Sequence, residues 1–351
     1  MRVARAVLAI ARADFLDRVR RYAFLVTLAA TAWLGWLVVE GRVTLRIGSY
    51  TGLVNGPWAG ALVAVTISVI VSLAGFWIVK SAVQRDRDTR VGEILAATPM
   101  SKPLYTMGKF LSNFAVLAAI VAVLAVAAPI LVALRGGTMD AGAMLSPFVL
   151  IALPSMAVVA ACAVLFETFR PLSGGAGNVL WFFLWTAILA VPLATKSPRA
   201  DLSGVLILQQ SMGDAARAVY PDYQEGFSLE IGGLGQSPPE GTFIWNGIAW
   251  TTDAVISRFT WFAIAALIAF FAALPFDRFD ESRQRKVKLA YFSDNRDPRR
   301  LSEKRRVSPF VPSFLPTVFA GELKLMLNGR AWWFWAVFAG LIVAGAATPA
   351  A

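Results

Sequence analysis

The sequence predicts an all-α, polytopic membrane protein, and three observations predict it. Of its 351 residues, 57% are hydrophobic and only 16% charged, where a soluble domain of this size carries roughly 25% charged residues. The apolar residues gather in runs close to the roughly 20 residues that a helix needs to cross a bilayer. The cations gather in three blocks between those runs, the asymmetry that membrane insertion imposes on Lys and Arg.

Taken in order, residues 1–22 read as an interfacial elbow helix. Leu8, Phe15, Val19 and Tyr22 share an apolar face, and six arginines supply a cationic one. Asp14 and Asp17 stand four residues before Arg18 and Arg21, the spacing of helical ion pairs. Spans are expected at 23–39, 58–79, 114–134, 148–166, 179–195 and 259–276. Asn55-Gly56-Pro57 breaks the chain before the second span. Within it, Gly60, Ala64, Ser68, Ser72 and Gly75 give a small-residue face that lets helices approach closely. Pro129 and Pro154 should kink the third and fourth spans. The glycines at 174–177 lack the strand before and the Lys-Ser/Thr after that a phosphate loop requires, so they read as a flexible hairpin. Residues 196–258 form an outer segment with the character of a small lid, with a helix near Gln209–Tyr220 and an extended stretch at Phe227–Ile231. Residues 277–313 are a basic linker, and 314–351 a second elbow with a seventh span. Residues 320–335 echo residues 13–28, which suggests the start of a second half in a longer chain.

Charge sets the expected topology. Six Arg precede the first span, six Lys or Arg lie in 80–113, and eleven lie in 277–312, while the intervening segments are poor in cations or acidic. All three blocks fall on one side if the N-terminus is cytoplasmic. The net charge of +11 then points to anionic lipid headgroups, above all for 277–312, and not to nucleic acid. The chain has no histidine, the commonest general base and metal ligand, and its single cysteine, Cys162, lies in an apolar run. No GxxxxGK[ST] occurs, so ATP hydrolysis would need another chain.

The polar island 80–113 organises the rest. Val91, Ile94, Leu95 and Thr98 fall at i, i+3, i+4 and i+7, which predicts a short amphipathic helix ended by Pro99. Ser101 starts a second helix with Pro103 in its first turn. On the residues alone this is either a docking site for a cytoplasmic partner or a loop whose cations fix topology.

Two stretches carry a family resemblance: the elbow Asp14-Phe15-Leu16-Asp17-Arg18-Val19-Arg20-Arg21, and the island's Arg85-Asp86-Arg87, Gly92-Glu93-Ile94-Leu95, Thr98-Pro99-Met100-Ser101 and Gly108-Lys109. The pattern resembles permeases of the ABC-2 type, the membrane subunits of ATP-binding-cassette exporters. That resemblance implies a six-helix transmembrane half in a bacterial cytoplasmic (inner) membrane. It implies a coupling helix whose Val91, Gly92, Glu93, Ile94 and Leu95 dock on an ATPase subunit, with Arg85, Arg87 and Arg90 as a charged rim. Asp14, Phe15, Arg18 and Arg21 of the elbow would make a second contact. The chain would then be no enzyme and bind no cofactor, ATP and Mg being held by the ATPase, and it would pair with a second permease half in the same longer chain or as a dimer. The long outer segment and the seventh span depart from the family pattern. Thr66, Ser68 and Ser72 are polar residues in the second span, lining a substrate path or making ordinary interhelical hydrogen bonds. The alternatives are an ion-coupled secondary transporter, or a membrane-embedded enzyme or structural protein; expected spans without charge in their middles count against the first two.

Overall fold

The computed structural model describes residues 2–224, 226–231 and 238–279. The seventh span, the second elbow and all but the first three residues of the basic linker lie outside the described residues. The chain divides into two compact units, 1–284 and 285–351, and every described residue belongs to the first.

Helix α1 (Arg2–Val19) turns by 77° into α2 (Tyr22–Val39), which occupies the expected first span. Strands β1 (Val43–Arg46) and β2 (Tyr50–Gly52) follow. Asn55 then caps the next helix, its side chain accepting from Trp58 N and donating to the Trp245 carbonyl. The expected breaker is thus a helix start, with Pro57 in the first turn, where a missing N–H costs nothing. The helix runs as α3 (Gly56–Thr66), a π turn at Ile67–Val71, α4 (Ser72–Val79) and α5 (Ala82–Asp88). Gly60 lets the Met144 backbone approach where any side chain would collide, as its small-residue setting predicts.

The short α6 (Val91–Ala97) leads to α7 (Lys102–Ala125) and α8 (Ala127–Arg135). The break between them sits at Val126, because Pro129 has no N–H to give the carbonyl four residues back. Helix α9 (Ala141–Pro147) enters a second π turn at Phe148–Ala152 before α10 (Leu153–Thr168), again where Pro154 leaves an upstream carbonyl without its donor. The 174–177 glycines are not a flexible hairpin. A one-turn α11 (Arg170–Ser173) passes directly into α12 (Gly175–Thr195).

Two findings concern the last third. Residues 196–258 hold α13 (Val205–Val219), β3 (Ser228–Ile231) and β4 (Gly241–Phe243), and β1 pairs antiparallel with β3 while β2 pairs parallel with β4. The fold is therefore mostly helical, consistent with the expected all-α membrane class, and among the described residues it adds two small two-stranded sheets. The sixth span is α14 (Thr252–Phe271), which begins seven residues before the expected position because Thr251 caps it through Ala254 N.

Among the described residues, five helical stretches are long and apolar enough to cross a membrane: Gly56–Asp88, Lys102–Arg135, Ala141–Thr168, Gly175–Thr195 and Thr252–Phe271; the bent α1–α2 pair makes six if counted as one span. The stretches Ala141–Thr168 and Gly56–Asp88 form the centre, with 78% and 67% of their apolar windows buried. Gly175–Thr195 and Thr252–Phe271 are at the periphery with 17% each, so most of their apolar surface faces outward. Outward apolar surface on that scale marks lipid or another subunit as the surroundings.

Candidate docking surface and its buried charge network

The island 80–113 is not a loop. It consists of α5, α6 and the first half of α7, with left-handed backbone at Ser81 (φ 91°), the turn that enters α5, and at Arg90 (φ 59°), the turn between α5 and α6. Helix α6 has the expected extent. Ser101 holds the N-cap position of α7 with extended backbone, though its side chain makes no capping hydrogen bond, and Pro103 lies in the first turn.

One face of α6 is packed. Gly92 is buried against the Phe279 ring, where a Cβ would come within 2.5 Å. Leu95 and Ala96 lie against a small core of Val83, Tyr105, Phe276 and Phe279. The Tyr105 ring stacks on Phe276 with centroids 4.9 Å apart. The chain leaving α14 straps this core in place, since Lys102 Nζ donates to the Phe276 carbonyl and Arg278 to the Thr98 carbonyl, both at 2.6 Å. Residues 277–279 are therefore part of the packed body, not of a linker. The other face of α6 is open: Ile94 is 69% and Val91 42% exposed, with Arg90 and Glu93 exposed beside them.

Beneath α5 and α6 lies a charge network centred on Asp14. Its carboxylate accepts from Arg18 at 3.1 Å, Lys109 at 2.7 Å and Ser112 at 2.6 Å, and pairs also with Arg85. Lys109 bridges on to Asp86 at 2.8 Å, and the Tyr105 hydroxyl donates to Asp86 at 2.7 Å. Arg18 reaches Asn113 at 2.7 Å. Asp14, Arg18, Asp86, Lys109, Ser112 and Asn113 are all buried. Burial opposes ionisation of Asp14, yet Lys109 and Arg18 together hold its carboxyl well below the usual range. Asp277 behaves likewise: burial opposes its charge, but Arg170 and Arg87, at 3.0 and 2.9 Å, keep it low. A third tie comes from α10, whose Glu167 carboxylate accepts from Val83 N at the start of α5.

The residues named from sequence therefore divide. Val91, Glu93, Ile94 and Arg90 face outward, and Gly92 and Leu95 face the core. Arg85 and Arg87 are committed to Asp14 and Asp277 and do not stand free as a rim. In the elbow, Asp14 and Arg18 turn inward and Phe15 packs on the core, while Arg21 is exposed with Asp17 at 2.9 Å. Of the expected apolar face of this interfacial helix, Phe15 and Val19 pack on the core, while Leu8 and Tyr22 are 60% and 87% exposed. Elbow and α6 flank a cleft of about 320 Å³ lined by Ile10, Asp17, Arg21, Thr89 and Val91 among others. Lys109 and Asp86, which complete the network, were legible only as parts of the Gly108-Lys109 and Arg85-Asp86-Arg87 strings. Gly108 lies against Ile10, which is what brings α1 onto α7.

Thr66, Ser68 and Ser72 are all buried. Thr66 and Ser72 donate to carbonyls one turn back, Leu62 and Ser68. No group of three His, Cys, Asp or Glu side chains poised for a metal ion exists among the described residues.

No protein-family model matches this chain, and no curated protein matches it. Fold and site define a class: a mostly helical chain whose several long apolar helices make it a multi-pass membrane protein.

Proposed function

We propose that this chain is the membrane-spanning permease subunit of an ATP-driven transporter of the ABC-2 type, exporting its substrate across a bacterial cytoplasmic membrane with ATP hydrolysed by a separate subunit. One observation carries the reading. Helix α6 offers Val91 and Ile94 to solvent between Arg90 and Glu93, while its opposite face is fixed to the body of the protein through Gly92 and Leu95. Apolar anchors ringed by charge are what a docked helix uses for affinity and register. The fixed face supplies what a power-transmitting helix also needs, a stiff link to the spans. Displacing α6 moves Phe279 and Phe276, and with them the end of α14, while Glu167 ties α5 to α10. The cleft beside the elbow is where a partner's protruding segment would sit, with Asp17 and Arg21 on its rim.

The test is capture of the tagged chain from native membranes in mild detergent, with quantification of co-purifying Walker-type ATPases. Ile94→Asp should abolish capture of such an ATPase, and Val219→Asp, equally disruptive in chemistry but on exposed surface of α13, should leave it unchanged. Failure of the parent chain to retain any ATPase would overturn the proposal. A second reading, ion-coupled transport, gains from one finding: a buried Arg258–Asp201 pair inside the bundle, where the expected spans held no charge.

A further inference from the structure

The chain between α12 and α13 does not rest on the surface. Residues 201–205 are all buried, and the Leu202 carbonyl accepts from Ser155 Oγ at 2.9 Å, a residue near the middle of the Ala141–Thr168 span. After leaving the end of α12 the chain therefore turns back into the bundle and climbs out again as α13. Asp201 holds the turn together, accepting from Ser203 Oγ at 3.1 Å and Ile207 N at 3.0 Å. Arg258, 1% exposed inside α14, donates to the Asp201 carbonyl and lies 3.4 Å from its carboxylate. Gly204, at φ +75°, completes the turn against Ile151, where a side chain would not fit.

Beneath this turn lies a small hydroxyl-lined chamber. Ser68, Ser72, Ser155 and Ser203 line it, with Trp181 and Trp185, and its volume of about 10 Å³ is close to the room one water needs. Ser68 Oγ is buried and has no hydrogen-bond partner among the described residues, although an orphaned buried hydroxyl is costly. The chamber sits beside both π turns: Ser68 is in the first, and Ser155 follows the second. A separate cavity of about 530 Å³ is lined further along the same two elements, by Leu193 and Lys196 after Ile188, and by Leu206 after Ser203.

We propose that the Asp201–Gly204 turn is a removable plug, latched by Arg258, between this outer cavity and a water site at Ser68. The contacts fit a plug better than a permanent wall. Leu202 and Val205 seal it against the core, its polar ties are few, the latch is a buried ion pair whose desolvation offsets much of its attraction, and Arg258 Nε has no partner among the described residues. If the chain is a permease, the plug closes a hydrated branch of its path, and that meaning rests on the function proposed above. The measurement does not need the ATPase, so loss of the docking result leaves it standing.

The test is the rate at which a small water-soluble methanethiosulfonate reagent modifies Ser68→Cys in a Cys162→Ala background, in the full chain in native membranes. Modification should be slow with the plug intact. Arg258→Gln should speed it by about tenfold or more, since losing one partner of a buried pair strongly favours the open state. Ser155→Ala, which removes one neutral hydrogen bond to the plug and leaves the charges untouched, should speed it a few-fold. Should Arg258→Gln fail to fold, Ser155→Ala decides alone. An unchanged rate in folded Arg258→Gln or Ser155→Ala protein, or fast modification before any latch is removed, overturns the proposal.

Discussion

The two ends of the helical body solve the problem of buried charge in opposite ways. At the α5–α6 end, Asp14 meets three cations and a hydroxyl, Asp86 meets Lys109 and Tyr105, and Asp277 meets two arginines. At the other end, Asp201 has a single cation, Arg258. A many-membered network offsets desolvation by satisfying most donors and acceptors at once, and such networks rigidify. A lone buried pair does not, and it is correspondingly easier to part. The contrast suggests a stiff end that transmits force and a looser end that yields.

The largest expected effect breaks the stiff end. Asp14→Ala leaves Arg18, Lys109 and Arg85 without their shared anion, and removing a partner from a buried charge cluster costs about 3–5 kcal/mol. Thermal unfolding in detergent should show a large fall in Tm or no folded protein. The acid response gives an independent check with a defined sign. The Asp14 carboxyl is held below its usual range, so its stabilisation is complete above about pH 4, where the unfolded carboxyl is ionised, and declines as pH falls further toward the folded value. Asp14→Asn, if it folds, should lose less stability than the parent between pH 5 and pH 3.

Arg258→Gln comes next and tests the looser end. It should cost about 2–3 kcal/mol, less than Asp14→Ala, because one partner is exposed to loss instead of three. A fall in Tm as large as that of Asp14→Ala would erase the distinction between the two ends. Gly92→Ala should follow at about 1–3 kcal/mol, the usual range for overpacking, because the new Cβ meets the Phe279 ring at 2.5 Å. Its diagnostic is that ATPase capture falls along with stability, since α6 must tilt to make room.

Much of the stiff end was legible in the sequence and little of the looser end was. The bounds of α6 follow from its apolar spacing and Pro99, and the break at Val126 from Pro129, because both are local. The inward turn of Asp14 is not local. Its partners Arg85 and Lys109 stand 71 and 95 residues away, and an amphipathic elbow reads equally well with its charged face outward. Arg258 reads as an interface residue for the same reason: its partner is 57 residues off, in a turn that hydropathy places outside. The four strands among the described residues, three or four residues long, are too short for an alternating pattern to show.

The smallest expected effect is also the sharpest use of the comparison. Asp14–Arg18 and Asp17–Arg21 have the same residue types and the same spacing, but Arg21 lies past the end of α1 and the two pairs differ in burial. The first pair has side chains 8% and 6% exposed and the second 48% and 51%. An exposed pair contributes roughly 0–1 kcal/mol, because water screens it and two long side chains must be ordered to form it. Arg21→Gln should therefore leave Tm nearly unchanged, where Arg18→Gln lowers it by several degrees. If α6 and the elbow together receive a partner, Arg21→Gln should still weaken capture of the ATPase, since Arg21 stands on the rim of the cleft between them. An Arg21→Gln protein that is fully stable and binds as tightly as the parent would confine docking to α6.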